Sequence, residues 1–75
     1  MTLGERIAYY RGVLGLSQGE LAEKLGVSRQ AVSKWETDAG LPDLDRLIAL
    51  SGLYNITLDE LVKGAAPSPA PADGT

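Results

Sequence analysis

The sequence predicts an all-α chain, a compact five-helix bundle in one small domain. Three observations lead there. Apolar residues recur at spacings of three and four along most of the chain, and no segment shows the two-residue alternation of a half-buried strand. A Ser or Thr stands three places before a Glu at Thr2/Glu5, Ser17/Glu20 and Thr57/Glu60, the pattern of a capped helix start. The length of 75 residues leaves room for a single small core.

Each element follows from local chemistry. Leu3, Ile7, Tyr10 and Leu14 line one face of a first helix of about three turns, capped by Thr2 and stopped by Gly15. Ser17 caps a second helix with Leu21, Ala22 and Leu25 inside and Gly26 at its end. Ser28 caps a third, buried through Val32 and Trp35. Residues 38–42, Asp-Ala-Gly-Leu-Pro, form a loop. A fourth helix starts near Asp43 and is expected to bury Leu44, Leu47, Ile48 and Leu50, with Gly52 near its last turn. After Asn55 and Ile56, Thr57 caps a brief fifth helix closed by Leu58, Leu61 and Val62. The domain is expected to cover residues 1–63. Residues 64–75, with three alternating prolines, read as an extended, disordered tail or a linker to a further domain.

Composition narrows the function classes. Without cysteine there is no disulfide, thiolate metal site or thiol nucleophile, and without histidine the usual general base and zinc ligand are missing. No enzyme activity, metal or cofactor is expected. No basic stretch precedes an apolar core at the N-terminus, and no run approaches the ~20 apolar residues of a membrane span. A cytoplasmic, nucleoid-associated protein is the expectation. The net charge of −3 conceals an asymmetry: residues 1–34 hold five basic against three acidic side chains, residues 35–75 two against seven. A polyanion senses local charge, so the acidic total does not exclude nucleic acid.

Residues 18–37, QGELAEKLGVSRQAVSKWET, carry the strongest signal. Two helices joined by a turn of three or four residues must cross steeply and pack closely. Such a motif needs a small residue at the crossing, a residue tolerant of positive φ in the turn, and apolar side chains on the shared face. Ala22, Gly26, and Leu21, Leu25, Val27, Val32 and Trp35 meet those needs. The third helix then turns Ser28, Arg29, Gln30, Ser33 and Lys34 outward.

LSQGELAEKLGVSRQAVSKWE, followed by LPDLDRLIALSGLYNITLDELV, resembles the helix-turn-helix of the phage-repressor and Cro-type regulators, the xenobiotic-response-element family. The likeness runs over roughly residues 3–63 and implies a lambda-repressor-like domain. It further implies a sequence-specific transcriptional regulator, most often a repressor, that places its third helix in the major groove of double-stranded DNA. By position, Arg29, Gln30, Ser33 and Lys34 match the base-reading residues, and Gln18, Ser28 and Thr37 match phosphate contacts. Arg11 and Glu36 occupy the positions of a structural ion pair, with a further phosphate contact from Arg11. A homodimer on a two-fold operator is expected, with Ile56, Leu58 and Val62 as its surface. Trp35 is expected in the core, and Tyr10 on the core face.

Departures from the family pattern lower the expected affinity. Tyr9, Tyr10, Gly12, Val13, Asp38 and Ala39 stand where many relatives carry cations, and Asp38 replaces the glycine that usually ends the third helix. Two other readings stay open. One is an antitoxin or other protein-interaction module using the acidic residues between 36 and 60. The other is the DNA-binding head of a longer sensor.

Overall fold

The computed structural model describes residues 1–64. It contains α1 (Leu3–Val13), α2 (Gln18–Leu25), α3 (Arg29–Glu36), α4 (Leu44–Tyr54) and α5 (Leu58–Lys63), with no strand among the described residues. Residues 65–75 of the expected tail lie outside them.

The helix starts are chemically specified. Both halves of the capping box form at Thr2/Glu5, Ser17/Glu20 and Thr57/Glu60. Ser28 and Asp43 cap α3 and α4 by accepting from Ala31 N and Arg46 N at 3.1 and 2.9 Å. Each cap satisfies an orphan N–H and contributes about 1 kcal/mol. The Ser17 backbone N–H donates to the Glu20 carboxylate, which with the Ser17 hydroxyl holds that group below its ordinary range.

Every helix contributes to one core. Ile7, Leu21, Val32, Leu50 and Leu61 are fully buried, joined by Ala22, Trp35 and Tyr54. Burial of each large side chain contributes roughly 1.5–3 kcal/mol, so in a core this small individual polar ties also matter. Tyr10 packs against the core and stacks on Tyr54 with ring centroids 5.4 Å apart, while exposed Tyr9 meets Tyr10 edge-on. The Tyr54 hydroxyl donates to Ile7 O at 2.9 Å, and burial pushes its phenol well up.

Three expected core residues are instead exposed. Leu14 is 46% exposed because α1 ends at Val13; Leu14 is its C-cap, and Gly15 at φ +71° turns the chain away. Leu44 and Ile48 are 62% and 52% exposed. Helix α4 buries Leu50 and Tyr54 with Leu47 half-buried beside them, and at 3.6 residues per turn Leu44 and Ile48 lie roughly a third of a turn round. In α5, Leu61 is buried, Leu58 half-buried and Val62 exposed.

Two close approaches were not evident from sequence. The Arg6 guanidinium donates to Leu61 O, Val62 O and Met1 O at 2.5–2.6 Å, placing a cation on the last carbonyls of α5. Gly4 sits against the end of α3. A Cβ there would collide with the carbonyl oxygen of Trp35 and come within 2.8 Å of Glu36 O and Asp38 Oδ1.

Candidate nucleic-acid interface

The turn between α2 and α3 depends on Gly26, which ends α2 in the left-handed region at φ +70°, ψ +33°. An L side chain is disfavoured there. Val27 N then donates to Ala22 O at 3.0 Å, and three residues after Leu25 the chain enters α3. Buried Leu21 and Ala22 of α2 share the core with Val32 and Trp35 of α3. That packing determines which side of α3 remains open.

The open side carries Arg29, Gln30 and Lys34 exposed and Ser33 half-buried. Gln18, Arg29, Gln30 and Ser33 together line a shallow depression of about 130 Å³ between the starts of α2 and α3. Lys34 and Thr37 lie outside it. Ser28 and Thr37 mark the two ends of α3 as its N-cap and C-cap, and the Thr37 hydroxyl donates back to Ser33 O at 3.1 Å. Arg29 and Lys34 form no ion pair among the described residues, so their charges remain available to an anion.

Behind this face lies a polar network. The Arg11 Nε and Nη2 donate to the two Glu36 carboxylate oxygens at 2.6 and 3.0 Å, a bidentate pair. The Glu36 side chain is only 6% exposed, and its hydrogen bond raises the Arg11 pKa. Arg11 Nη1 donates to Leu16 O at 2.9 Å, and Gln18 Nε2 donates to Glu36 Oε1 at 2.9 Å. The end of α1, the connection to α2, the first residue of α2 and the end of α3 are thereby tied together. Sequence reasoning did not find the Gln18–Glu36 bond.

Ile56 packs against the core, Leu58 is half-buried and Val62 is 39% exposed. The largest apolar exposures are instead Leu41 at 76%, Met1 at 74%, Val13 at 64% and Leu44 at 62%. No helix among the described residues is long and apolar enough to cross a membrane, and no group of three or more carboxylates among them is placed to hold a metal.

Known proteins share both sequence and shape. The chain is 42% identical over 62 residues to the HTH-type transcriptional regulator ImmR of Bacillus subtilis, covering 83% of this chain and 49% of that protein. It is 41% identical over 64 residues to the HTH-type transcriptional activator BcrR of Enterococcus faecalis, covering 85% and 31%. The chain thus spans about half or less of these curated relatives. The P22 c2 repressor, solved with synthetic operator 9T in the presence of Tl+, superposes with a TM-score of 0.82 at 37% identity, covering 87% of this chain and 98% of that one. The model of the helix-turn-helix family matches residues 7–61. The chain belongs to the helix-turn-helix family.

Proposed function

We propose that the chain is a sequence-specific double-stranded DNA-binding transcriptional regulator that reads the major groove with α3. The observation that carries this is the exposed face of Arg29, Gln30, Ser33 and Lys34, backed by the Arg11–Glu36–Gln18 network. Arg29 has the donor fork for guanine O6 and N7, and Gln30 the paired donor and acceptor for adenine. Ser33 and Lys34 lie one turn further along. Gln18 and Ser28 are suited to phosphate, where contacts fix register without reading sequence, and Thr37 joins them when its hydroxyl turns away from Ser33 O. Arg11 contributes there through its remaining N–H groups.

One short helix reads only a few base pairs, so a homodimer on a two-fold operator supplies the missing specificity. Ile56, Leu58 and Val62 are its proposed surface, with Val62 the most open of them. Repression is the proposed direction, in the cytoplasm on the nucleoid, and the reading assigns no chemistry to the chain. A second reading, the DNA-binding head of a longer protein, is favoured by the fraction of ImmR and BcrR that this chain spans.

Selection from a random duplex library at low salt tests the proposal. The expected result is a two-fold motif, its half-sites about one helical turn apart, that Arg29→Ala fails to enrich. Absence of any enriched motif would contradict DNA reading and favour a protein partner.

A further inference from the structure

We infer that Asp38 is a positioning residue for DNA readout, a second pin that fixes the angle of α3 on α1. The inference rests on α3 being the reading helix. Asp38 follows Thr37, the C-cap of α3, and adopts φ +60°. For backbone conformation alone glycine would serve better at that position. The reason for an aspartate is therefore in its side chain.

The carboxylate bonds across 34 residues to the start of α1. Oδ1 accepts from Gly4 N at 3.0 Å, and Oδ2 accepts from the Thr2 hydroxyl at 2.6 Å. Gly4 N–H belongs to the first turn of α1, which has no intrahelical acceptor and forms the positive end of the helix dipole. The absent side chain of Gly4 lets that turn meet the terminal carbonyls of α3, the negative end of its dipole. Asp38 thus extends the Thr2/Glu5 capping box into a tertiary cap.

The geometry explains why a second attachment matters. Arg11, which holds Glu36, lies seven residues beyond Gly4, or about 10 Å along α1. A single attachment at Glu36 would let α3 pivot on the core. Glu36 and Asp38 stand two residues apart at the end of α3 but reach points on α1 separated by that length, so together they oppose such a pivot. Arg29 lies seven residues from Glu36, so a pivot of about 10° would move it by roughly 2 Å. Bidentate hydrogen bonds to a base edge do not survive such a displacement.

The test compares full-length wild type, Asp38→Gly and Asp38→Asn for thermal stability and for affinity to the selected operator and to a scrambled duplex. Asp38→Gly relieves the backbone while losing both hydrogen bonds, so its melting temperature stays within a few degrees. Its operator-to-scrambled affinity ratio falls about tenfold. Asp38→Asn tolerates the left-handed conformation and keeps an acceptor for Gly4 N–H, and it recovers most of that ratio. A ratio preserved within twofold in Asp38→Gly, or parallel shifts of both affinities in the two variants, would overturn the inference. Should wild type select no DNA, the proposed function fails separately. Residual dipolar couplings of the α1 and α3 amides then decide: a changed interhelical angle in Asp38→Gly, restored in Asp38→Asn, supports the pin, and an unchanged angle refutes it.

Discussion

Helix α3 keeps its apolar and polar residues on separate sides, Val32 and Trp35 within and Arg29, Gln30 and Lys34 without, whereas α4 is apolar on both. Leu50 and Tyr54 face the core, while Leu44 and Ile48 stand open. The means of attachment differ as well. The end of α3 is held by Arg11 and Gln18 through Glu36 and by Asp38. Helix α4 is placed by packing and by the Tyr54 bond to Ile7 O. An amphipathic stripe with polar ties specifies one rotation of a helix about its axis; apolar residues on more than one side specify it less. The helix proposed to read DNA is the one held by polar ties at its end as well as by packing.

Substitutions can break or sharpen this contrast. The largest expected effect is within α4 itself. Leu50→Ala should cost roughly 3–4 kcal/mol by leaving a cavity, while Ile48→Ala changes stability by no more than about 0.5 kcal/mol, both read by urea denaturation. Similar costs at the two positions would show that the open side of α4 is covered in solution. Gly4→Ala comes next, at roughly 3 kcal/mol, because its Cβ must displace backbone carbonyls rather than a flexible side chain. A loss below ~1 kcal/mol would mean that α1 and α3 do not approach so closely.

Removing Arg11 strands a carboxylate that is nearly enclosed. Arg11→Met is expected to cost about 2–3 kcal/mol, less than a fully buried pair because the guanidinium is itself 23% exposed. Adding Glu36→Gln should return part of that loss, and strict additivity in the cycle would contradict a coupled pair. The smallest effect has the opposite sign. Gly19 lies within α2 with only ordinary van der Waals neighbours for a new Cβ, Ser17 Oγ at 3.8 Å and Arg29 Cδ at 3.9 Å. Gly19→Ala should raise stability by up to ~1 kcal/mol in the same urea titration.

What could be read from the sequence depended on the distance over which each feature acts. Capping boxes close within three residues, and the Gly26 turn within one motif, so Thr2, Ser17, Ser28 and Thr57 marked their helix starts directly. The outward side of α3 followed from its period. Long-range polar contacts did not. Arg6 reaches α5 across 55 residues, Tyr54 reaches Ile7 across 47, and Asp38 reaches Gly4 across 34. No local pattern specifies which helix end an arginine or aspartate will meet. Arg11 and Glu36, 25 residues apart, were paired through family resemblance rather than spacing. The open positions of Leu44 and Ile48 are not legible because α4 offers apolar residues around more than one face, and that of Leu14 because the apolar period runs on past the helix end.

The central claim is that the exposed face of α3 reads base sequence. The most direct measurement is the affinity of wild type and Arg29→Ala for the selected operator and for a scrambled duplex, across a range of salt. Loss of a bidentate base contact should cost about 1–3 kcal/mol on the operator, roughly five- to 150-fold, and at most about twofold on the scrambled duplex. Equal losses on both duplexes would contradict the claim and reduce Arg29 to a nonspecific phosphate contact.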